Sequence, residues 1–364
     1  MTKARFVVDK KMTGVEILVL FGSLPRLRDA DKIPNTLFVL TWDRPSVSLG
    51  KYEDLDGLKY ENLKRDKILI GRRPSGAGIL WAPPGGMGAG IVVTKDVFPN
   101  IDTAERIWAG EIVTELYRRA GISDVWYKHP GDVKIGERKL SGTTCIEFGK
   151  GIIVGSFINR IKPDTKFFED YLIYPEEKLK DKMLKDITEY AASIETHAPK
   201  LISEDEVAKI LQDIVREKLG LEFEPGTWTQ DEKNFLQFGM SMLTDEKMVT
   251  SVSHSKWYSQ LQDGLAAATY RFKTMKLISA NVAVDKDKRI RDILITGDFL
   301  ISPAEGWEKI MESLKGLKAD DEGAIKKAIR ETFEKNKIDY SGFTLDDMAK
   351  PVIEAGKLAI QKLK

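Results

Sequence analysis

From Gly71 to Gly90 the chain carries seven glycines in twenty residues, and no other stretch restricts the possible folds as tightly. After Gly71 it reads Arg72-Arg73-Pro74-Ser75-Gly76-Ala77-Gly78-Ile79-Leu80-Trp81, then Ala82-Pro83-Pro84-Gly85-Gly86-Met87-Gly88-Ala89-Gly90. Glycine lets a backbone approach a ligand or another strand closely and present N–H groups to an anion. Two arginines at its start can pair with phosphate or carboxylate oxygens in bidentate fashion. No Gly-Lys-Ser/Thr closes the run, so it is not a Walker A loop. The residues after it are apolar and strand-like, so it is not a dinucleotide fingerprint opening a helix. Taken alone, it is equally well a Gly/Pro-rich surface loop between strands.

Around this run, strand-like and helix-like segments alternate. Thr36–Trp42 is β-branched and aromatic and stops at Asp43-Arg44-Pro45; Lys67–Ile70, Ala89–Thr94 and Gly151–Ile158 are further apolar β runs. Val125–Tyr127, Asp132–Ile135 and Arg138–Gly142 are short strands around tight turns. Apolar residues at Ile107, Ile112, Leu116 and Tyr117 predict a helix capped by Thr103 and running to Arg119, with Gly121 beyond its end. Glu176–Ala192 is helical in pattern. Val207, Ile210, Leu211, Ile214 and Val215 form one face of a helix from Ser203 to Leu219, and Ser203 with Glu206 makes a capping box.

At 364 residues the chain is too long for one ordinary core, and two domains are expected. Thr244–Gln260 is polar and weakly periodic and is taken as the linker, which divides the chain into residues 1–250 and 260–364. The second part predicts strands Met275–Val284 and Ile290–Leu300 joined by a hairpin at Asp285–Lys288. Helices come next, from Pro303 to Leu314, Glu322 to Glu334 and Leu345 to Leu363, making a small α+β module.

A net charge of +1 supplies no global field to attract nucleic acid or anionic lipid. No apolar stretch approaches the roughly 20 residues that cross a bilayer, and no secretion signal follows Met1. The expectation is a cytoplasmic protein without nucleic-acid or membrane partners. One cysteine, Cys145, excludes an internal disulfide framework and a cysteine-based zinc site. His129, His197 and His254 are scattered without metal spacing.

A second signal lies at Gly131-Asp132-Val133-Lys134-Ile135-Gly136-Glu137-Arg138-Lys139-Leu140-Ser141-Gly142. A turn at Gly136-Glu137 carries Lys139 on the return strand, where a fixed cation can stabilise charge developing on a phosphoryl oxygen. By itself, in a chain so rich in lysine, a solvated strand lysine is the better reading.

Taken together, the two signals resemble the catalytic domain of lipoate–protein ligases, within the wider biotin and lipoate ligase superfamily. That family carries an Arg-Arg-x-Ser/Thr-Gly-Gly-Gly loop ending in His-Asp-x-Gly, matched here by Arg72, Arg73, Ser75, Gly76, Gly78 and Gly85. It continues with Asn-Asp, a hairpin and Lys-(Ile/Val)-(Ser/Ala)-Gly, matched by Asp132 and Arg138 to Gly142. Its His-Gly-Thr-Leu-Leu strand is answered by Val154-Gly155-Ser156-Phe157-Ile158. Weaker echoes lie at Pro45–Gly50 and in the helix from Ser203. The resemblance covers roughly residues 15–245. The tail, with Ile295-Thr296-Gly297-Asp298-Phe299-Leu300 before Pro303, resembles the accessory domain of the same enzymes.

The resemblance implies an α/β (α+β) fold: a mixed-sheet catalytic domain with a small α+β accessory domain. It implies ATP-dependent formation of lipoyl-AMP from lipoate, then transfer to a lysine of a lipoyl-domain or glycine-cleavage-H-like acceptor. Lys139 would be catalytic. Arg72, Arg73, Ser75, Gly76, Ala77, Gly78, Trp81, Gly86, Ser141, Gly142, Gly155 and Ser156 would bind substrate and adenylate. Asp132 would help place phosphate or Mg²⁺. The sequence departs from the family pattern at Ala77, at Ala82-Pro83 for His-Asp, at Gly86 and Gly131 for Asn, and at Val154 for His, which implies a divergent subgroup.

Other readings belong to the same chemistry. A related octanoyl or lipoyl transferase uses a cysteine thioester, but its ligase-like members place that cysteine before the lysine hairpin, and Val125–Pro130 has none. A biotin ligase carries a Gly-Arg-Gly-Arg-x-Gly-Arg loop that is absent here. A non-catalytic lipoate-binding scaffold is the remaining alternative.

Overall fold

The computed structural model describes residues 2–76, 78–162, 165–173, 185 and 189–363. The predicted helix from Glu176 to Ala192 lies mostly outside them. The chain forms two compact units: residues 1–47, 63–69 and 81–242, and residues 48–62, 70–80 and 243–364. The units therefore do not follow one cut in the sequence. Two short segments, 48–62 and 70–80, belong with the C-terminal part.

The strands, in chain order, are β1 (Thr2–Met12), β2 (Thr36–Trp42), β3 (Ser46–Leu49), β4 (Leu69–Arg72), β5 (Leu80–Ala82), β6 (Met87–Thr94), β7 (Val125–Lys128), β8 (Asp132–Ile135), β9 (Arg138–Phe148), β10 (Gly151–Ile158) and β11 (Leu221–Pro225). The chain passes from one unit to the other inside β3, β4 and β5.

The larger unit holds an eight-stranded sheet in the order β11-β1-β2-β6-β10-β9-β8-β7. Its first two pairings are parallel and the rest antiparallel. It is the expected mixed sheet. Side chains alternate across it. Leu37, Val39, Ala89, Ile91, Ile152 and Val154 enter one core with the helices 101–119 and 204–219. Phe38, Leu40, Trp42, Val92 and Ile153 enter a second core with the helix Glu16–Asp29.

The helix expected from Thr103 to Arg119 runs from Ile101 to Arg119, and its N-cap is Asn100, whose side chain accepts from Thr103 N. Its middle, Arg106–Val113, is a π-helical stretch, a feature frequent at functional sites. The Ser203–Glu206 capping box is present, and Gly220 ends that helix in the left-handed region at φ 63°. β1 shows how a strand can hide in sequence. It carries Lys3, Arg5, Asp9, Lys10 and Lys11, yet pairs on both sides. Arg5 is buried because Glu232 receives it at 2.5 and 2.9 Å, and that ion pair anchors the helix Gln230–Leu243.

The smaller unit contains the antiparallel strands β12 (Ala266–Lys273), β13 (Leu277–Val284) and β14 (Ile290–Gly297), and a two-stranded ribbon of β15 (Leu300–Ser302) and β16 (Asp339–Ser341). Helices Gly306–Leu314, Glu322–Lys335 and Leu345–Gln361 complete it. The linker expectation for Thr244–Gln260 is overturned. Asp245 and Ser253 cap short helices there, and Val249, Val252 and Trp257 are buried. Few apolar residues, spaced widely, gave no period to read, but Val252 and Trp257 join the core of this unit.

Candidate active site

β8 and β9 form the lysine hairpin, turned by Gly136 at φ 51°. A register shift beside Leu140 sets Lys134 opposite Lys139 and Asp132 opposite Gly142. The bulge re-aims Lys139 onto the face that carries Asp132. Lys139 Nζ lies 2.6 Å from Asp132 Oδ1, with the two side chains 34% and 24% exposed. A Cβ on Gly142 would stand 2.9 Å from Nζ and 3.0 Å from Cε of Lys139. Glycine at this position thus gives the lysine its bed. The arrangement is a cation within reach of solvent, oriented by one carboxylate.

The same sheet face continues over glycine. Side chains at Gly88, Gly90 and Gly155 would collide with Trp42 and Ile17, with Phe38, and with Phe21 respectively. Phe157 meets Trp42 at a ring-centroid distance of 6.0 Å. Gly85 and Gly86 bracket Trp42: Gly85 N donates to Trp42 O at 2.8 Å and Trp42 N donates to Gly86 O at 3.0 Å. Part of the glycine run therefore exists to seat aromatic rings on the sheet. Trp81, in the same unit, stacks on Phe167 at 4.2 Å and 11°, and its indole N–H is buried with no hydrogen-bond partner among the described residues.

Ser141 and Ser156 lie on the opposite face. Ser141 Oγ donates to Phe157 O at 2.6 Å. Ser156 Oγ accepts from Trp108 Nε1 at 3.0 Å and pairs with Thr143 Oγ1 at 2.7 Å. Tyr117, fully buried, donates to Leu140 O at 2.7 Å and accepts from Asn159 N at 3.1 Å. These hydroxyls tie the hairpin to the helix 101–119, so both side chains are engaged within the fold.

Arg72, Arg73, Ser75, Gly76 and Gly78 belong to the other compact unit; Ala77 lies outside the described residues. Arg72 is 1% exposed. Its guanidinium donates to the carbonyls of Gly50 at 2.7 Å, Glu53 at 2.7 Å, Val249 at 2.9 Å and Val252 at 3.3 Å. Arg73 donates to the carbonyls of Ser48, Gly76 and Gly78 at 3.1, 3.0 and 2.6 Å. Burial pushes both guanidinium groups down to about 10. Glu53, beside them, is pushed up to about 7 by burial and by Asp298, against the pull of Arg73. A Cβ on Gly76 would strike Phe299 O and the Tyr52 ring. Ser75 and Gly76 line a shallow cavity of about 480 Å³ within this unit, with Leu300, Ser302, Asp339 and Tyr340.

Two features escaped the sequence. Lys134 is buried, and Glu105 holds the approach to Asp132: its Oε1 accepts from Tyr127 OH at 2.5 Å and from Gly131 N at 2.8 Å. Gly131 takes φ 73°, which is the one local clue to that pinned turn. Cys145 sits on β9 opposite Val154. Burial, then Glu105 and Glu147, push its thiol up to about 12, so it stays protonated at neutral pH. His129 reaches Tyr127 OH at 3.1 Å. No group of three His, Cys, Asp or Glu residues capable of holding a metal exists among the described residues, and none of their helices is long and apolar enough to cross a membrane.

Residues 22–216 match the lipoyl protein ligase A/B catalytic domain. The chain belongs to that family, which contains lipoate ligases and octanoyltransferases. It is 20% identical over 242 residues to the octanoyltransferase LipM of Oceanobacillus iheyensis, covering 61% of this chain and 88% of the relative. It is 24% identical to that of Halalkalibacterium halodurans, covering 55% and 81%. Among solved structures it resembles a bipartite archaeal lipoate protein ligase of Thermoplasma acidophilum, with TM-score 0.59, 20% identity and coverage of 69% and 98%. It also resembles P. falciparum LipL1 in complex with lipoate, with TM-score 0.61, 14% identity and coverage of 96% and 99%. A lipoate-protein ligase A bound with ATP aligns at TM-score 0.55 with 17% identity, covering 69% and 100%.

Proposed function

We propose that the protein is an ATP-dependent lipoate–protein ligase whose reacting centre lies at the Lys139–Asp132 pair. The observation that carries this reading is Lys139 Nζ, oriented by Asp132 at 2.6 Å above Gly142, together with a lone cysteine that is partly buried and whose thiol is pushed up to about 12. A thioester-forming transferase needs a thiolate. The one cysteine of this sequence does not supply it, although the curated relatives are named octanoyltransferases.

In the proposed reaction a lipoate carboxylate oxygen attacks the α-phosphorus of ATP. The bond from that phosphorus to the β-bridging oxygen breaks, and pyrophosphate leaves. The acceptor amine then attacks the acyl carbon, the bond to AMP breaks, and one proton is lost. Lys139 is placed to stabilise the charge that grows on phosphoryl oxygen in the first step and on carbonyl oxygen in the second. Its bond to Asp132 fixes its direction before substrate arrives. Asp132 fits a supporting role toward Mg²⁺, which is held by one or two carboxylates and by substrate phosphates rather than by a protein cage. Trp81 and Gly86 are the residues we assign to the nucleotide base side. Arg72 and Arg73 act, in this reading, through the shape of their own loop. Residues 1–250 would be the ligase body and 260–364 its accessory module. The acceptor would be a lipoyl domain or a glycine-cleavage-H-like protein, met through a transient interface.

The test is pyrophosphate release and mass spectrometry of the protein after incubation with ATP and lipoate. A ligase releases pyrophosphate, forms lipoyl-AMP and keeps both in a Cys145→Ala variant. A lipoyl or octanoyl thioester on Cys145, formed from an acyl-carrier donor without ATP, contradicts the reading.

A further inference from the structure

Lys134 is the oddest charged group of the hairpin. Its side chain is 3% exposed, and lysine is rarely so buried unless firmly paired. Among the described residues its carboxylate partner is Glu137, at 2.9 Å on the hairpin turn, and that side chain is 94% exposed. Ion pairs open to water contribute only ~0–1 kcal/mol. The rings of Trp126 and Tyr190 stand 5.5 and 5.9 Å from the ammonium. Trp126 is its register partner on β7 and Lys139 its register partner on β9.

Two lysines are thus register partners on adjacent antiparallel strands, a pairing of like charges that destabilises a sheet, and their ammonium groups rest on different carboxylates, Glu137 and Asp132. Asp132 is committed to Lys139. Residues facing each other across such a ladder have Cβ atoms about 5 Å apart, so the two long side chains can close on one polyanion. The aromatic walls favour a poorly hydrated cation and keep it available, and a solvated glutamate releases it at small cost.

We propose that Lys134 is a second cation of the site, held in reserve by Glu137 and handed to the departing pyrophosphate when adenylate forms. This rests on the ligase reading for its place in the reaction, though not for the binding of the anion itself. Lys139 would serve both half-reactions. Lys134 would serve only the one with a pyrophosphate to hold.

Titrating the full-length protein with inorganic pyrophosphate in a calorimeter tests this directly. Lys134→Met is expected to weaken binding about tenfold or more, and Lys134→Arg to restore it to within about threefold. Glu137→Gln, on an exposed turn, is expected to tighten it about two- to threefold by freeing the ammonium. A purely structural pair predicts no tightening. In turnover, Lys134→Met should raise the KM for ATP while transfer from added lipoyl-AMP keeps its rate. Pyrophosphate affinity unchanged in both Lys134→Met and Glu137→Gln overturns the proposal, and if lipoyl-AMP is still made the ligase reading survives it. Lys134-dependent pyrophosphate binding in a protein that makes no lipoyl-AMP upholds the anion site and overturns the ligase reading instead.

Discussion

Two cationic motifs stand out in this sequence, and the fold uses them in opposite ways. Arg72 and Arg73 are sealed among backbone carbonyls of Ser48, Gly50, Glu53, Gly76, Gly78, Val249 and Val252. Lys139 keeps a third of its side chain in solvent and holds a single carboxylate. Guanidinium, planar and rich in donors, suits the buried role because it can satisfy several fixed carbonyls at once. An ammonium on a flexible stem, with one partner, retains capacity for an incoming anion. A cationic motif is therefore a strut or a site according to what already fills its donors.

The comparison can be broken most sharply at Arg72. Replacing it with methionine strands several buried carbonyls, and a loss on the order of 3 kcal/mol in unfolding free energy is expected; chemical denaturation measures it, and a change below about 1 kcal/mol would contradict the strut assignment. Lys139→Ala should do the reverse. Adenylate formation should fall about 100-fold or more, equivalent to ~2.7 kcal/mol, while the denaturation midpoint stays close to that of the unaltered protein.

Glu53 gives a smaller effect with a definite sign. Its folded carboxyl is raised from 4.5 to about 7. The folded state thus binds the proton more tightly than the unfolded one, and the group's contribution is fully present below about 4.5 and lost as pH rises through about 7. Stability should decline over that window, and Glu53→Gln should flatten the decline, gaining on the order of 1–3 kcal/mol at pH 8. An unchanged pH profile would place Glu53 in water. Cys145→Ala should have the least effect, with adenylate yield within about twofold of the unaltered protein and slow alkylation of the native thiol at pH 8.

Much of this was legible from residue types. The mixed sheet follows from β runs such as Thr36–Trp42 and Gly151–Ile158, and the lysine hairpin from the turn at Gly136-Glu137. The features that stayed hidden have physical causes. β1 looks solvated because its charges lie on a strand whose buried arginine meets Glu232, 227 residues away. The segment 244–260 lacks a period because its few apolar residues anchor single points. The fate of Arg72 could not be read locally, since its carbonyl partners Val249 and Val252 are 177 and 180 residues away. Glycine motifs also blur function and packing: Gly142 makes room for Lys139, whereas Gly88, Gly90 and Gly155 make room for aromatic rings.

Lys139 as the centre of an adenylating site is the claim on which the rest depends. Lipoate-dependent exchange of labelled pyrophosphate into ATP measures that step without any acceptor protein. Exchange is expected in the unaltered protein, retained in Cys145→Ala and abolished in a Lys139→Ala variant that melts normally. Exchange that persists without Lys139, or that is absent from the unaltered protein while Cys145 takes up an acyl group, would contradict it.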